Sequence, residues 1–239
     1  ISGMGEVWSA RLLAALLGED WALLDARELL VVRQGELGAR LEEDATRERL
    51  ALWRQANPQP HLVATGFLAR LADGTHTTLG RNGSDYSAAL FAALFGAREL
   101  TIWKEVEGLM SADPRLEPEA VVLPELSYAE AMELAYFGTK ALHPQALAPA
   151  MAAGIPLHVR DVRQPEKPGT RVVARPTAPA SPVKGLSLVR GLSALELAGS
   201  GLMGVPGSAE RFFAALHRAG VSVVMITQAS SEHSICALV

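Results

Sequence analysis

The chain has 239 residues, enough for one large domain or two modest ones, and its 49% hydrophobic and 20% charged residues are the mixture of a globular protein with a sizeable core. A formal net charge of −4 argues against a dominant nucleic-acid partner, which calls for a basic patch or an excess of Lys and Arg. No apolar run reaches the roughly 18 residues of a membrane span, and the start, "ISGMGEVWSARLLAALLG", has neither the basic head nor the cleavage pattern of a signal peptide.

Short apolar runs alternate with helical patterns, which predicts an α/β fold with a mainly parallel sheet and helices on both faces. The first helix is "SARLLAALLG", ended by Gly18, and "ALLDARELLVV" is a strand end passing into a short helix. "GELGARLEEDATRERLALWRQ" carries both charge signs and reads as a solvated helix face without a function of its own. "HLVATGFLARL" is apolar with a β-branched centre, and "DGTHTTLG" is a turn followed by a strand. A helix then runs from Asp85 to Gly96 behind an N-cap at Ser84. "ELTIWKEV" is a strand, "EGLMSADPRLEP" a loop, and "SYAEAMELAYFG" a helix with a capping box of Ser127 and Glu130. "HPQALAPAMAAG" has Pro144 in its first turn and closes at Gly154, after which "IPLHV" returns to the sheet.

The texture then changes. "RQPEKPGTRVVARPTAPASPVKG" brings five prolines and few large apolar side chains, the composition of a domain boundary. Beyond it "LSALELAGS", "SAERFFAALHRAG", "VSVVMITQ" and "HSICALV" read β-α-β-β, most of a small ferredoxin-like unit, with Ala209, Phe212, Phe213 and Leu216 on one helical stripe. Its final strand holds the single cysteine, Cys236, which reads as a small buried hydrophobe. With no internal disulfide partner, it fits a reducing cytoplasm. The six histidines show no metal-ligand spacing, and no metal site is expected.

The chemistry concentrates at "GRNGSDY". A helix start offers free N–H groups and a partial positive charge to an anion. Asn82-Gly83 gives a tight turn, Arg81 a planar fork suited to carboxylate or phosphate, and Asp85 a carboxylate able to orient a cation. Taken alone, the stretch is either an anion site or a capped helix with a charged first turn. A second loop, "EVEGLMSADPR", follows a strand end and holds Glu105, Glu107, Asp113 and Arg115. In "YFGTKALHP", Lys140 is either an exposed lysine or one aimed at phosphate. Cations, helix heads and carboxylates at strand ends are what phosphoryl transfer needs, since that chemistry rests on positioning and charge stabilisation. Neither a GxxxxGK[ST] loop nor the protein-kinase HRD and DFG set is present.

In this order, "TTLGRNGSDYSAA", "SADPR", "LPELSYAEAMELAYFGTKALHPQALAPAMAAGIPLHVR", "PGT", "GLMGVPGSAERFFAAL" and "ITQASSEHSI" resemble aspartokinase. That enzyme uses Mg-ATP to phosphorylate the β-carboxylate of L-aspartate to 4-phospho-L-aspartate, the first step toward lysine, threonine and methionine. The resemblance covers nearly the whole chain from Gly5. It implies an amino-acid-kinase α/β/α sandwich, incomplete at its N-terminus, in residues 1–172, a Pro-rich linker in 173–185, and an incomplete ACT regulatory domain in 186–239.

The same resemblance implies roles for single residues. Glu6 would hold the amino group of aspartate and Arg81 its α-carboxylate, with Ser84 beside them, and Asp85 would be the catalytic acid that organises a lysine. Lys104, Glu105, Met110, Arg115 and Lys140 fall at nucleotide positions, for ATP with its Mg²⁺. Met203, Gly204, Gln228 and Ser231 fall around an amino-acid effector, threonine or lysine, where the residues alone also allow a plain strand-edge loop. ACT units pair edge to edge, which implies a homodimer.

Three departures accompany the resemblance. The family's opening "KFGGTS", with its phosphoryl-neutralising lysine, is absent, so the chain by itself is expected to be inactive and the natural polypeptide longer at both ends. Family members are fused to a homoserine dehydrogenase or a diaminopimelate decarboxylase. Lys104-Glu105 stands where Thr-Asp is usual, and Met110 where an aromatic residue is usual. The alternative is a non-catalytic amino-acid-sensing protein with a degenerate kinase domain.

Overall fold

The computed structural model describes residues 2–35, 38–137, 142–177, 183–199, 205–228 and 234–239. The chain divides into two units, Ile1–Ser187 and Leu188–Val239. In the first unit, helix α1 (Met4–Leu17) starts behind Gly3, whose φ of 86° suits glycine. Gly3 lies against the Leu68 side chain with no room for a Cβ, which seats the head of α1. Strand β1 (Trp21–Leu24) runs into the short helix α2 (Ala26–Leu29), as the sequence predicts.

The charged stretch that follows holds more than a helix. It opens as an antiparallel hairpin, β2 (Val32–Gly35) with β3 (Gly38–Leu41), before helix α3 (Glu43–Ala56). Strand β4 (His61–Ala64) pairs parallel with β1, and β5 (Leu68–Arg70) forms a hairpin with β6 (His76–Thr78).

Helix α4 (Gly83–Phe95) is apolar nearly all round after its first turn, the mark of a helix buried on several sides. Its Leu90 and Phe91 join a core with Val7, Leu24, Leu29 and Leu68. Its Ala92 joins a second core, built on Leu109, Leu126, Leu147, Leu157, Val159 and Val172. The helix thus ties two halves of the unit together. Gly96 ends it in the left-handed region at φ 62°, where the sequence places the stop.

The second core surrounds a four-stranded sheet in the order β7-β9-β10-β8, made of β7 (Leu100–Lys104), β8 (Glu125–Ser127), β9 (Leu157–Asp161) and β10 (Thr170–Val173). β7 and β9 are parallel, β10 and β8 are parallel, and β9 meets β10 antiparallel. The sheet is therefore mixed rather than mainly parallel. The short loop 162–169 turns the chain straight back, and a parallel return would need a longer crossover. Helices α5 (Tyr128–Phe137) and α6 (Pro144–Ala152) pack on each other, and α6 packs on α4.

The capping box read from the sequence is present at α5. The Ser127 N–H donates to Glu130 Oε2 at 2.7 Å, and the Glu130 N–H donates to Ser127 Oγ at 3.2 Å. Lys184 reaches the same carboxylate at 2.9 Å, and the Leu186 N–H donates to the Ser111 carbonyl at 2.7 Å. The end of the Pro-rich stretch is thus tied to the first unit. Burial pushes the Glu130 carboxyl up, but the Ser127 N–H and Lys184 outweigh it and leave the carboxyl below its ordinary value. A depressed pKa adds stability above the unfolded value, and that stability is lost as pH falls through the folded one. Glu130→Gln should therefore cost about 0.5–1 kcal/mol near pH 7. The gap to wild type should close on acidification, as urea unfolding across about pH 7 to 3 would show.

In the second unit, β11 (Ala194–Ala198), α7 (Ser208–Arg218), β12 (Met225–Gln228) and β13 (Ser234–Leu238) follow the predicted β-α-β-β order. The sheet is antiparallel with β13 in the middle, between β11 and β12. Ala209, Phe212, Phe213 and Leu216 are the less exposed face of α7, while Glu210, Arg211, His217 and Arg218 are exposed. Edge strand β12 is exposed along its length, and Cys236 is half-buried in β13.

Candidate functional site

The site is built at the carboxyl end of β4. Thr65 is buried there. Its N–H donates to the Leu24 carbonyl at 3.0 Å and its Oγ1 accepts the Ala26 N–H at 2.8 Å, locking the end of β4 to β1 and α2. The chain then passes through Gly66 and Phe67, the latter at φ 64°. The Phe67 N–H donates to Ser87 Oγ at 3.2 Å, and Ser87 Oγ donates to the Ser84 carbonyl at 2.8 Å. The loop after β4 is thereby pinned to the first turn of α4.

Asn82, at φ 56°, precedes that turn and is the N-cap residue, without a side-chain capping bond. The sequence points instead to Ser84, which lies inside the helix. The helix starts one residue before Ser84, at Gly83, where the Phe67 ring and Leu79 Cβ stand 2.9 and 3.0 Å from where a Cβ would be and leave room only for glycine. The serine is then free to face α1. Its Oγ lies 3.5 Å from Glu6 Oε1, long for a hydroxyl–carboxylate bond but close enough for one small polar group to meet both. A Cβ on Gly66 would stand 3.5 Å from Glu6 Oε2 and 3.4 Å from Ser84 Oγ, so glycine keeps that wall to the main chain. Arg81 stands in the turn ahead of α4, exposed and without an ion pair among the described residues.

Asp85 and Lys104 come together. Lys104 Nζ is 2.6 Å from Asp85 Oδ2, joining the end of β7 to the head of α4, with side-chain exposures of 27% and 12%. Glu105 is turned outward to Arg163 at 2.9 Å, and Glu107 holds Lys167 at 2.7 Å. Met110 makes an antiparallel bridge with Val122 in the loop after β7. Arg115 is exposed, in a two-point contact with Asp113 at 2.6 and 3.0 Å, and that carboxylate holds its guanidinium above the ordinary value.

Glu6, Ser84, Asp85 and Lys104 thus form one linked set with Arg81 in the adjoining turn. Gln228 is the exposed last residue of β12 in the second unit. Lys140, Met203, Gly204 and Ser231 lie outside the described residues. Gly66, Phe67 and Ser87 shape the site without having been singled out in the sequence. For Gly66 and Phe67 the available signal was their place at the end of the strand β4, where α/β sheets present ligands. Such an arrangement offers a carboxylate, a hydroxyl, a guanidinium and a paired ammonium to a small zwitterion beside an anionic group.

Comparison with known proteins agrees with this picture. Residues 195–239 match the ACT domain model. The chain is 42% identical to the bifunctional aspartokinase/homoserine dehydrogenase 1, chloroplastic, of Arabidopsis thaliana, over 99% of its own length and 27% of that protein. It superposes on E. coli aspartokinase III in complex with aspartate and ADP with a TM-score of 0.80 at 33% identity. Against the same enzyme in complex with lysine and aspartate the TM-score is 0.73 at 30% identity. Each superposition covers 98% of this chain and 53% of that structure. The chain therefore spans about a quarter of its bifunctional relative and about half of the E. coli enzyme. No described helix is long and apolar enough to cross a membrane. Residues 1–161 match the model of the amino acid kinase family, two thirds of the sequence, and the chain belongs to that family.

Proposed function

We propose that this chain is part of an aspartate kinase, which transfers the γ-phosphoryl group of Mg-ATP to the β-carboxylate of L-aspartate. The observation that carries the reading is the meeting of Glu6, Ser84, Asp85 and Lys104 at the ends of α1, α4 and β7, with Arg81 in the turn beside them. Glu6 takes the substrate ammonium, Arg81 the α-carboxylate in a two-point contact, and Ser84 adds a hydroxyl. The nucleophile is already ionised at neutral pH, so no general base is required, and the protein's work is orientation and charge stabilisation. Lys104, Glu105, Met110, Arg115 and Lys140 border the nucleotide, whose phosphates carry the Mg²⁺. E. coli aspartokinase III in complex with aspartate and ADP supports this substrate pair.

The second unit acts as an ACT regulatory module for an amino-acid effector, threonine or lysine, with Met203, Gly204, Gln228 and Ser231 at its site. The exposed edge strand β12, with Met225 and Ile226 more than half exposed, supports pairing of two copies through this unit. A single free cysteine goes with a cytoplasmic protein.

The test is hydroxylamine trapping of aspartyl phosphate by the intact natural polypeptide. Aspartyl hydroxamate should form only with both L-aspartate and Mg-ATP. Absence of product, with threonine or lysine still binding, would leave an amino-acid sensor in place of a kinase.

A further inference from the structure

We infer that the passage leading into the second unit is a positioning element for the nucleotide, with Lys184 as the residue that seats it. The inference rests on the aspartate-kinase reading, in which Met110 borders the nucleotide, and gives a part in that site to residues outside it.

The composition of the Pro-rich stretch suits a loose spacer. Its last part is not loose. Val183 and Leu186 are 65% and 72% exposed, but between them the Lys184 side chain is only 18% exposed and Gly185 is half-buried. Lys184 Nζ meets both oxygens of Glu130, at 2.9 and 3.0 Å, in the first turn of α5. Gly185 lies so close to Ser111 that an added Cβ would stand 3.0 Å from its carbonyl oxygen, and 3.4 Å from the Leu134 side chain. The Leu186 N–H then donates to that same carbonyl at 2.7 Å. Three consecutive residues are thus seated on α5 and on the loop after β7, and the second unit begins two residues further on, at Leu188.

The seat matters because Ser111 directly follows Met110. On the other side of Met110, the fully buried Leu109 is held from the core. Its N–H donates to Thr170 Oγ1 at 2.8 Å and its carbonyl accepts the Leu123 N–H at 2.8 Å. Met110 itself bridges Val122. The Ser111 N–H donates to the Val121 carbonyl at 2.8 Å, and Ser111 Oγ accepts the Val121 N–H at 3.0 Å. The Ser111 carbonyl is the group that the passage takes. Met110 is therefore flanked by two fixed residues, one held from within the core and the other held in part by Leu186.

A loop that is already ordered loses less conformational freedom when its ligand arrives, so the same contacts give a tighter complex. Lys184 acts at one remove. Its charge-assisted contact with Glu130 holds the passage against α5 and so keeps the Leu186 N–H on the Ser111 carbonyl.

The test is calorimetric titration of Mg-ADP, and separately of L-aspartate, into the intact natural polypeptide carrying Lys184→Met, Lys184→Arg or Gly185→Ala, with steady-state kinetics beside it. Lys184→Met should weaken Mg-ADP binding about three- to tenfold, the worth of one net hydrogen bond, and raise KM for ATP in step. Gly185→Ala should do the same by pressing on the Ser111 carbonyl, and so carries the test at a site without a charge. Aspartate affinity and kcat should stay within about twofold of wild type, because the passage touches neither Glu6 nor Arg81. Lys184→Arg should return Mg-ADP affinity to within about twofold, because it keeps the charge facing Glu130. Unchanged Mg-ADP affinity in both Lys184→Met and Gly185→Ala would overturn the inference. Equal losses for Mg-ADP and aspartate would overturn it too, since a general loosening of the unit weakens both ligands. Aspartyl hydroxamate from the wild-type protein alongside unchanged affinities in the variants sinks the inference alone. A wild-type protein that forms no hydroxamate and binds no Mg-ADP sinks the kinase reading and the inference together.

Discussion

Asp85→Asn should lower the rate of aspartyl hydroxamate formation by about 10²–10³-fold, the range associated with loss of one preorganised electrostatic element. Asparagine has nearly the same shape and would leave the head of α4 intact. It can accept one hydrogen bond from Lys104, but it removes the charge that fixes an ammonium 2.6 Å away between β7 and α4. The lysine would then sample other rotamers and solvent, and the phosphates would meet a mobile cation. Mg-ADP and aspartate affinities should fall much less than the rate, which isothermal calorimetry would report beside the trapping assay. A rate within fivefold of wild type would separate Asp85 from the chemistry.

Gly169→Ala should destabilise the first unit by about 4 kcal/mol, at the upper end of what single substitutions do. Gly169 has φ 68°, and a Cβ there would overlap the carbonyl oxygen of Val159 and stand 3.0 Å from its carbon. Val159 lies in β9 opposite Thr170, so the new methyl group would wedge apart the antiparallel β9–β10 pair at the centre of the sheet. Thr170, fully buried, accepts the Leu109 N–H at 2.8 Å and would be drawn away with β10. Gly154 supplies the control. It has nearly the same φ, 66°, but nothing within 4 Å of the added atom. Gly154→Ala should therefore cost only the left-handed conformation, about 1 kcal/mol. Thermal unfolding of the two variants separates backbone conformation from strand contact, and equal losses would refute the steric account.

The sequence was most legible where structure is decided locally. The Ser127–Glu130 capping box, the Gly96 stop and the inward stripe of α7 follow from residues within a turn or two of one another. Elements decided at a distance were harder to see. Strand β8 is three residues long, and its partner β10 lies more than forty residues further on, inside a stretch whose prolines mask a strand. The β2–β3 hairpin was hidden by a run of charges that suits a helix equally well. The site divides in the same way. Arg81 and Asp85 stand out because one turn collects them, whereas the Lys104–Asp85 pair joins different elements and only the fold brings it about. Ser84 was identified as a polar residue at a helix start, but the helix begins at Gly83, and only the fold brings its hydroxyl within 3.5 Å of Glu6 on α1.

Phe67 and Asn82 are the described non-glycine residues with positive φ, and the Phe67 ring stands against Gly83, the residue that follows Asn82. Each such conformation costs of order 1–3 kcal/mol and persists only because its surroundings hold it. One consequence concerns how this binding site can change over evolutionary time. The main chain at the site holds both of these conformations, with the Phe67 ring filling the space where Gly83 has no side chain. On the reading proposed above, a switch in the accepted amino acid falls to the side chains of Glu6, Arg81 and Ser84, which can be exchanged one at a time above a frame that stays still.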